Sequence, residues 1–158
     1  AFISSDKCVI DNLRYNNRSQ MLAKSLPLPI VIGNLKRLEL LKNCPELREK
    51  LWDNVRALQS GLKARGFNID RTNSPVTPVF MNSTMVETWR LLVDLRENYN
   101  IFCSVIIYPV VPKDILMLRI IPTAVHTKED IEETLDAFSA VQEKLKAGEY
   151  AKEELVKV

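Results

Sequence analysis

The residue with the clearest chemical potential is Arg119, which interrupts the apolar stretch 115–121. A guanidinium left unpaired in apolar surroundings carries a large desolvation cost. Its planar fork suits bidentate binding of a carboxylate better than a lysine ammonium would. The sequence therefore leaves two interpretations open. Arg119 either binds an anionic ligand, or it is structural, paired with an internal Asp or Glu or reaching water at the end of a strand.

Other residue types that support catalysis are scarce. The only histidine, His126, directly precedes a predicted helix start, where packing and hydrogen bonding are its expected roles. Cys8, Cys44 and Cys103 lie far apart, so they indicate neither a zinc site nor a disulfide framework, and we expect reduced thiols. No GxGxxG or GxxxxGK[ST] loop is present to cradle a phosphate. Composition alone therefore disfavours an autonomous enzyme and gives no metal site.

The elements that must position Arg119 follow from hydrophobic periodicity. Leucine and valine recur at helical spacing between Leu47 and Leu62, and Gly66 follows as a stop. A Thr127-x-x-Asp130 capping box opens the last helix. The patterns predict strands over about 1–4, 20–24, 79–81, 101–108 and 115–121, and helices over about 6–15, 30–43, 45–65, 84–99 and 127–147. This order predicts an α+β fold, a small sheet with helices on one face.

Length and charge limit the class of protein. The 158 residues suit about one domain, although the first ~45 residues form a less self-sufficient segment. The chain has 22 Lys and Arg against 20 Asp and Glu, so no strong attraction to nucleic acid or anionic membranes is expected. No apolar run approaches the ~20 residues of a membrane span, and the N-terminus lacks signal-peptide character. The sequence predicts a cytoplasmic protein without nucleic-acid partners or an obligate membrane segment.

Five segments of the chain carry a family resemblance when they are taken in order. They are NRSQMLAKSLP at 17–27, LREKLWDNVRAL at 47–58, NSPVTP at 73–78, PVVPKDILMLR at 109–119 and TAVHTKEDI at 123–131. Together they resemble the C-terminal part of the α-oxoamine synthases, which are PLP-dependent enzymes of the fold-type I aminotransferase superfamily. Within that family, bacterial serine palmitoyltransferase and glycine C-acetyltransferase look most similar.

The resemblance implies a division of the chain and a missing catalytic centre. Residues 1–45 would be the end of the large PLP-binding α/β domain with a linking helix. Residues 46–158 would be the small C-terminal domain, with a mostly antiparallel sheet. The family's PLP-binding lysine would lie upstream of residue 1, and Lys24 is not its counterpart. The resemblance therefore implies that PLP is bound by the full-length parent and that this chain alone is inactive.

The resemblance also implies roles for individual residues. Arg119 matches the arginine that grips the substrate α-carboxylate, which favours the anion-binding interpretation. Lys24 and Ser25 match a segment that reaches the cofactor phosphate of the neighbouring subunit. Relatives often carry hydroxyl residues at positions 23 and 24, so Ala23 and Lys24 depart from the pattern, and Lys24 offers a positive charge instead.

Further matches concern the local backbone. His126 and Thr127 match a motif that we interpret as structural, shaping the helix start behind the arginine strand. Asn100 and Asp114 stand where relatives often carry glycine. Asn and Asp are the tolerable substitutes if those turns need a positive φ.

The reaction implied by the resemblance condenses an acyl-CoA with serine or glycine in a homodimer. The α-carboxylate arginine would act by orienting the Cα bond that breaks, not by proton transfer. From the residues alone two other functions stay open. The chain could be a stand-alone small-molecule-binding or regulatory module anchored by Arg119, or a dimerisation module without a ligand.

Overall fold

The structure is a computed structural model that describes residues 3–151, and its internal contacts divide the chain into Ala1–Asn43 and Cys44–Val158. The described part of the first unit is helical. It contains α1 (Lys7–Asn16), α2 (Arg18–Leu22) and α3 (Leu28–Asn43). Within this unit, α3 exposes large apolar side chains all along its length, so it does not bury a hydrophobic stripe.

Two strands predicted for the first unit are not found. Residues 20–22 belong to α2, because the Asn17 side chain accepts a hydrogen bond from the Ser19 backbone N–H and so begins a helix there. Ile3 and Ser4 are irregular, and Ala1 and Phe2 lie outside the described residues. The predicted helices over 6–15 and 30–43 are confirmed by α1 and α3.

The second unit is the predicted α+β fold. Its elements are α4 (Pro45–Ala64), β1 (Thr77–Phe80), α5 (Met85–Tyr99), β2 (Ser104–Ile106), β3 (Met117–Ile120), α6 (Lys128–Lys146) and a 3-10 turn, Glu149–Ala151. The strands form an antiparallel sheet in the order β1-β3-β2. One face of the sheet, carrying Val79, Leu118 and Ile120, joins a buried core with apolar side chains of α4, α5 and α6.

The two later strands are shorter than the sequence predicts. β2 covers only part of 101–108, and β3 only part of 115–121. Between them, Pro109 and Pro112 lack the backbone N–H that would extend a ladder. Residues 107, 115 and 116 therefore lie outside the strands although they are apolar.

Two helices begin at threonine capping boxes, and the predicted one at Thr127 is confirmed. Thr84 and Thr127 each form a complete capping box at the start of α5 and α6. Asn100 ends α5 with φ 56°, in the left-handed region that Asn tolerates. The φ of Asp114 is not positive, so the turn there does not need the left-handed conformation.

A partly buried ionic cluster joins the end of the described chain to α5 and α6. The Asp94 carboxylate accepts hydrogen bonds from Lys144 Nζ and from the Tyr150 hydroxyl. Burial alone would raise the pKa of Asp94, but the hydrogen bonds from Lys144, Tyr150 and Asn98 outweigh it and hold that pKa below its usual value. Burial and the Asp94 contact both raise the pKa of Tyr150, so its hydroxyl stays protonated as a donor.

No helix of the described residues has the length and apolarity that crossing a membrane requires.

The approach of α4 to α6 depends on a glycine. A Cβ added at Gly61 would overlap both terminal methyl groups of Leu135, which is 1% exposed. Because Leu135 is enclosed by the core, it has little room to move away. Gly61 is thus fixed by packing rather than by backbone conformation.

We expect Gly61→Ala to destabilise the chain. Because the added Cβ would lie far inside the contact distance of a methyl group of Leu135, we expect an overpacking cost toward the upper end of about 1–3 kcal/mol, which exceeds the ~1 kcal/mol gain in helix propensity. The matched control is Ser60→Ala, on the exposed side of the same helix, which should change the free energy of unfolding by no more than about 0.5 kcal/mol. Urea unfolding monitored by circular dichroism measures both, and equal midpoints would show that α4 and α6 are less closely packed than described.

Candidate functional site

Arg119 lies on the middle strand of the sheet, one residue before the end of β3. Its Cα partners are Pro78 on β1 and Ser104 on β2. Leu118 and Ile120 are buried, whereas Arg119 between them is exposed. Since alternate residues of a strand point to opposite faces, Arg119 projects from the face opposite the core.

This alternation explains how a charged residue fits into an apolar segment. Only one face of β3 is buried, so the guanidinium avoids the desolvation cost that the sequence suggested. The structural interpretation with an internal ion pair is not seen, because Arg119 has no carboxylate at ion-pair distance among residues 3–151. The other structural alternative, a side chain that reaches water near the end of a strand, is the one observed, and it leaves the charge of Arg119 accessible to a ligand.

One side chain does contact the guanidinium. Arg119 Nε donates a hydrogen bond to Ser104 Oγ at 3.1 Å. In the described part of the chain, the terminal Nη1 and Nη2 groups have no hydrogen bond to protein. These two groups form the fork that binds a carboxylate side by side. Ser104 was missed by sequence reasoning, and the signal that could have found it is a lone hydroxyl residue beginning an apolar strand.

The surroundings of Arg119 on this face, here called the outer sheet face, are apolar. Two residues along each strand, the same face carries Phe80, Ile106 and Met117, all half-buried. An apolar surround lowers the effective dielectric constant and strengthens the attraction between a guanidinium and an anion. The outer sheet face therefore combines one unpaired cationic fork with a half-buried apolar border.

The turn that follows β3 is held by a buried amide. Asn54, 5% exposed on α4, donates through Nδ2 to the backbone carbonyls of Thr123 at 3.0 Å and His126 at 2.9 Å. His126 Nδ1 in turn accepts from the Thr123 backbone N–H at 3.0 Å. His126 is thus placed as part of the turn before α6, and Asn54 is a second residue whose role the sequence did not reveal.

A surface cavity of about 330 Å³ lies beside this turn. His126 and Asp130 line it. The Asp130 carboxylate accepts from the Thr127 backbone N–H and lies in the capping box, and these hydrogen bonds hold its pKa below the usual value. Its acidic group is therefore engaged in starting α6.

Lys24 and Ser25 belong to the first unit and are described by themselves. Both side chains are exposed in the irregular stretch between α2 and α3. An ammonium and a hydroxyl are suitable donors to a phosphate, so the donor set fits the phosphate of PLP. Ala23 beside them offers no side-chain donor.

A family model and individual relatives both match this chain over most of its length. Residues 1–138 match the model of the class I and II aminotransferases. A cysteate-C-fatty acyltransferase from Capnocytophaga ochracea is 57% identical over 95% of the chain and 36% of its own length. An 8-amino-7-oxononanoate synthase from Exiguobacterium sibiricum is 31% identical over 91% of the chain and 36% of its own length.

A solved structure agrees with these relatives. A serine palmitoyltransferase from S. paucimobilis, whose structure contains PLP and myriocin, superposes with a TM-score of 0.77 at 27% identity. The match covers 87% of this chain and 34% of that one. The chain thus spans about a third of the length of the proteins it matches.

We expect Asn54→Leu to destabilise the second unit. The substitution keeps a similar volume but leaves the carbonyls of Thr123 and His126 without their donor, which costs about 1–3 kcal/mol. The neighbouring Asp53→Asn, on the exposed side of α4, is the control and should change stability by less than about 0.5 kcal/mol. Denaturant unfolding of both variants checks this, and an unchanged midpoint for Asn54→Leu would contradict the role of the amide.

Proposed function

The chain belongs to the class I and II aminotransferase family, and on this premise we propose that it is part of a PLP-dependent acyltransferase condensing an acyl-CoA with an amino acid. The observation that carries the proposal is the unpaired Nη1/Nη2 fork of Arg119 on an apolar sheet face. The named acyltransferases among the relatives support the reaction class. The predicted resemblance to the α-oxoamine synthases agrees with them.

In this proposal Arg119 binds the α-carboxylate of the amino acid. The fork would donate one hydrogen bond to each carboxylate oxygen and fix the Cα bonds of the substrate in one orientation. When bound, PLP supplies an electron sink for negative charge at that Cα. Lys24 and Ser25 would hold its phosphate from the neighbouring subunit of a homodimer.

The division of labour along the chain is also part of the proposal. Residues 1–45 would complete the large PLP-binding domain and residues 46–158 would be the small C-terminal domain. The lysine that binds PLP would come from the rest of the full-length protein, so this chain alone would be inactive. The chain's match to only about a third of each relative supports a parent of greater length. We propose the cytoplasm as its location.

We expect Arg119→Ala in the full-length protein to weaken amino-acid binding about 10- to 100-fold. A hydrogen bond to a charged group contributes about 1.5–3 kcal/mol, and 1.4 kcal/mol is tenfold in affinity. The dissociation constant can be measured from the change in cofactor absorbance on adding the amino acid. Arg71→Ala, an exposed arginine before β1, is the control and should bind normally. Unchanged affinity in Arg119→Ala would refute the proposed role.

The identity of the amino-acid substrate can be tested by comparing three candidates. The sequence resemblance suggests serine or glycine, whereas the relative that is 57% identical is named for cysteate. Its identity exceeds that of the serine palmitoyltransferase structure by a wide margin, so we propose cysteate as the preferred substrate. Steady-state kcat/KM of the full-length protein for cysteate, serine and glycine, with one fatty acyl-CoA, decides. A higher kcat/KM for serine or glycine would reverse the choice.

A further inference from the structure

We infer that Ser104 is a positioning residue, which holds the Arg119 guanidinium so that its Nη1/Nη2 fork faces the substrate carboxylate. The inference rests on the proposed function of Arg119 and concerns how that residue is kept ready. It begins from the one side-chain hydrogen bond that the guanidinium makes within residues 3–151, from Nε to Ser104 Oγ at 3.1 Å.

The place of Ser104 in the sheet makes this contact rigid. Ser104 and Arg119 are direct Cα partners of the antiparallel pair β2–β3, so the ladder fixes their backbones relative to each other. On the other side, the cross-strand partner of Arg119 is Pro78, whose side chain has no hydrogen-bonding group. Of the two cross-strand neighbours, Ser104 alone can orient the guanidinium.

The atom that Ser104 contacts determines which carboxylate geometry remains. A guanidinium can bind a carboxylate through Nε and one terminal nitrogen, or through both terminal nitrogens. Ser104 occupies Nε and so removes the first arrangement. The second arrangement, through Nη1 and Nη2, is left free, which selects one direction of approach.

The energetic benefit is preorganisation. A free arginine side chain carries considerable rotamer entropy, which is lost when it binds an anion. The hydrogen bond to Ser104 restricts the side chain before the substrate arrives. Loss of the hydroxyl should then raise the dissociation constant of the amino acid by about 3- to 10-fold, without affecting the acyl-CoA to the same extent.

The test uses an isosteric pair of variants in the full-length holoenzyme, Ser104→Val and Ser104→Thr. Both side chains are β-branched and suit a strand, but only threonine keeps the hydroxyl. We expect Ser104→Val to raise the KM of the amino acid about 3- to 10-fold with kcat and the KM of acyl-CoA within twofold of the parent. Ser104→Thr should restore the amino-acid KM. Equal KM values in the two variants would overturn the inference.

A double-mutant cycle with Arg119→Ala shows whether Ser104 acts through Arg119. We expect Ser104→Val to add no further loss of amino-acid affinity once Arg119 is alanine, with affinity taken from the cofactor absorbance. The same loss in both backgrounds would mean that Ser104 acts independently, and the inference fails. If Arg119→Ala leaves the amino-acid affinity unchanged, the proposed function of Arg119 is wrong. If Arg119→Ala weakens binding but Ser104→Val does not, only the inference about Ser104 is wrong.

Discussion

The exposure of Arg119 opposite the hydrophobic core depends on the alternation of side chains along β3. As the central strand, β3 is hydrogen-bonded on both edges, so its direction and the side-chain orientations are fixed by two ladders. One face, with Leu118 and Ile120, is sealed against the helices. A shift of register by one residue would bury Arg119 and expose the core side chains, which is prohibitively unfavourable. The core thus determines where the cation points.

The helices that pack on the buried face of the sheet also help to fix the position of β3. Gly61 lets α4 lie close to α6, and Asn54 on α4 holds the carbonyls of the turn that leads from β3 to α6. A helix that packs on the sheet therefore also fixes the chain leaving the arginine strand. Gly61 and Asn54 do not belong to the outer sheet face, but they stabilise the chain that leads away from Arg119.

Much of the second unit could be predicted because local signals and tertiary packing agree there. The capping boxes at Thr84 and Thr127, and the helical stripe of α4, are complete within a few residues of sequence. The strand predicted over 20–24 was wrong because an N-cap at Asn17 outweighs weak strand propensity. The contacts of Ser104 and Asn54 could not be predicted in this way, since they join positions 15 and about 70 residues apart; for Ser104 the sequence offers only a lone hydroxyl at the start of an apolar strand.

The charge of the outer sheet face limits what it can recognise by itself. Cysteate carries a sulfonate as well as an α-carboxylate, whereas serine and glycine carry only the carboxylate. Among the described positions of that face, Arg119 is the only charged residue; its neighbours are Pro78, Phe80, Ser104, Ile106 and Met117. One guanidinium fork accommodates one acid group. If cysteate is the substrate, its sulfonate needs a second positive charge from outside the outer sheet face, because Arg119 is the only charged residue among the described positions of that face and Ser104 adds one neutral hydroxyl. The chain would then provide the binding step common to the family's amino acids, and discrimination among them would depend on residues beyond this face.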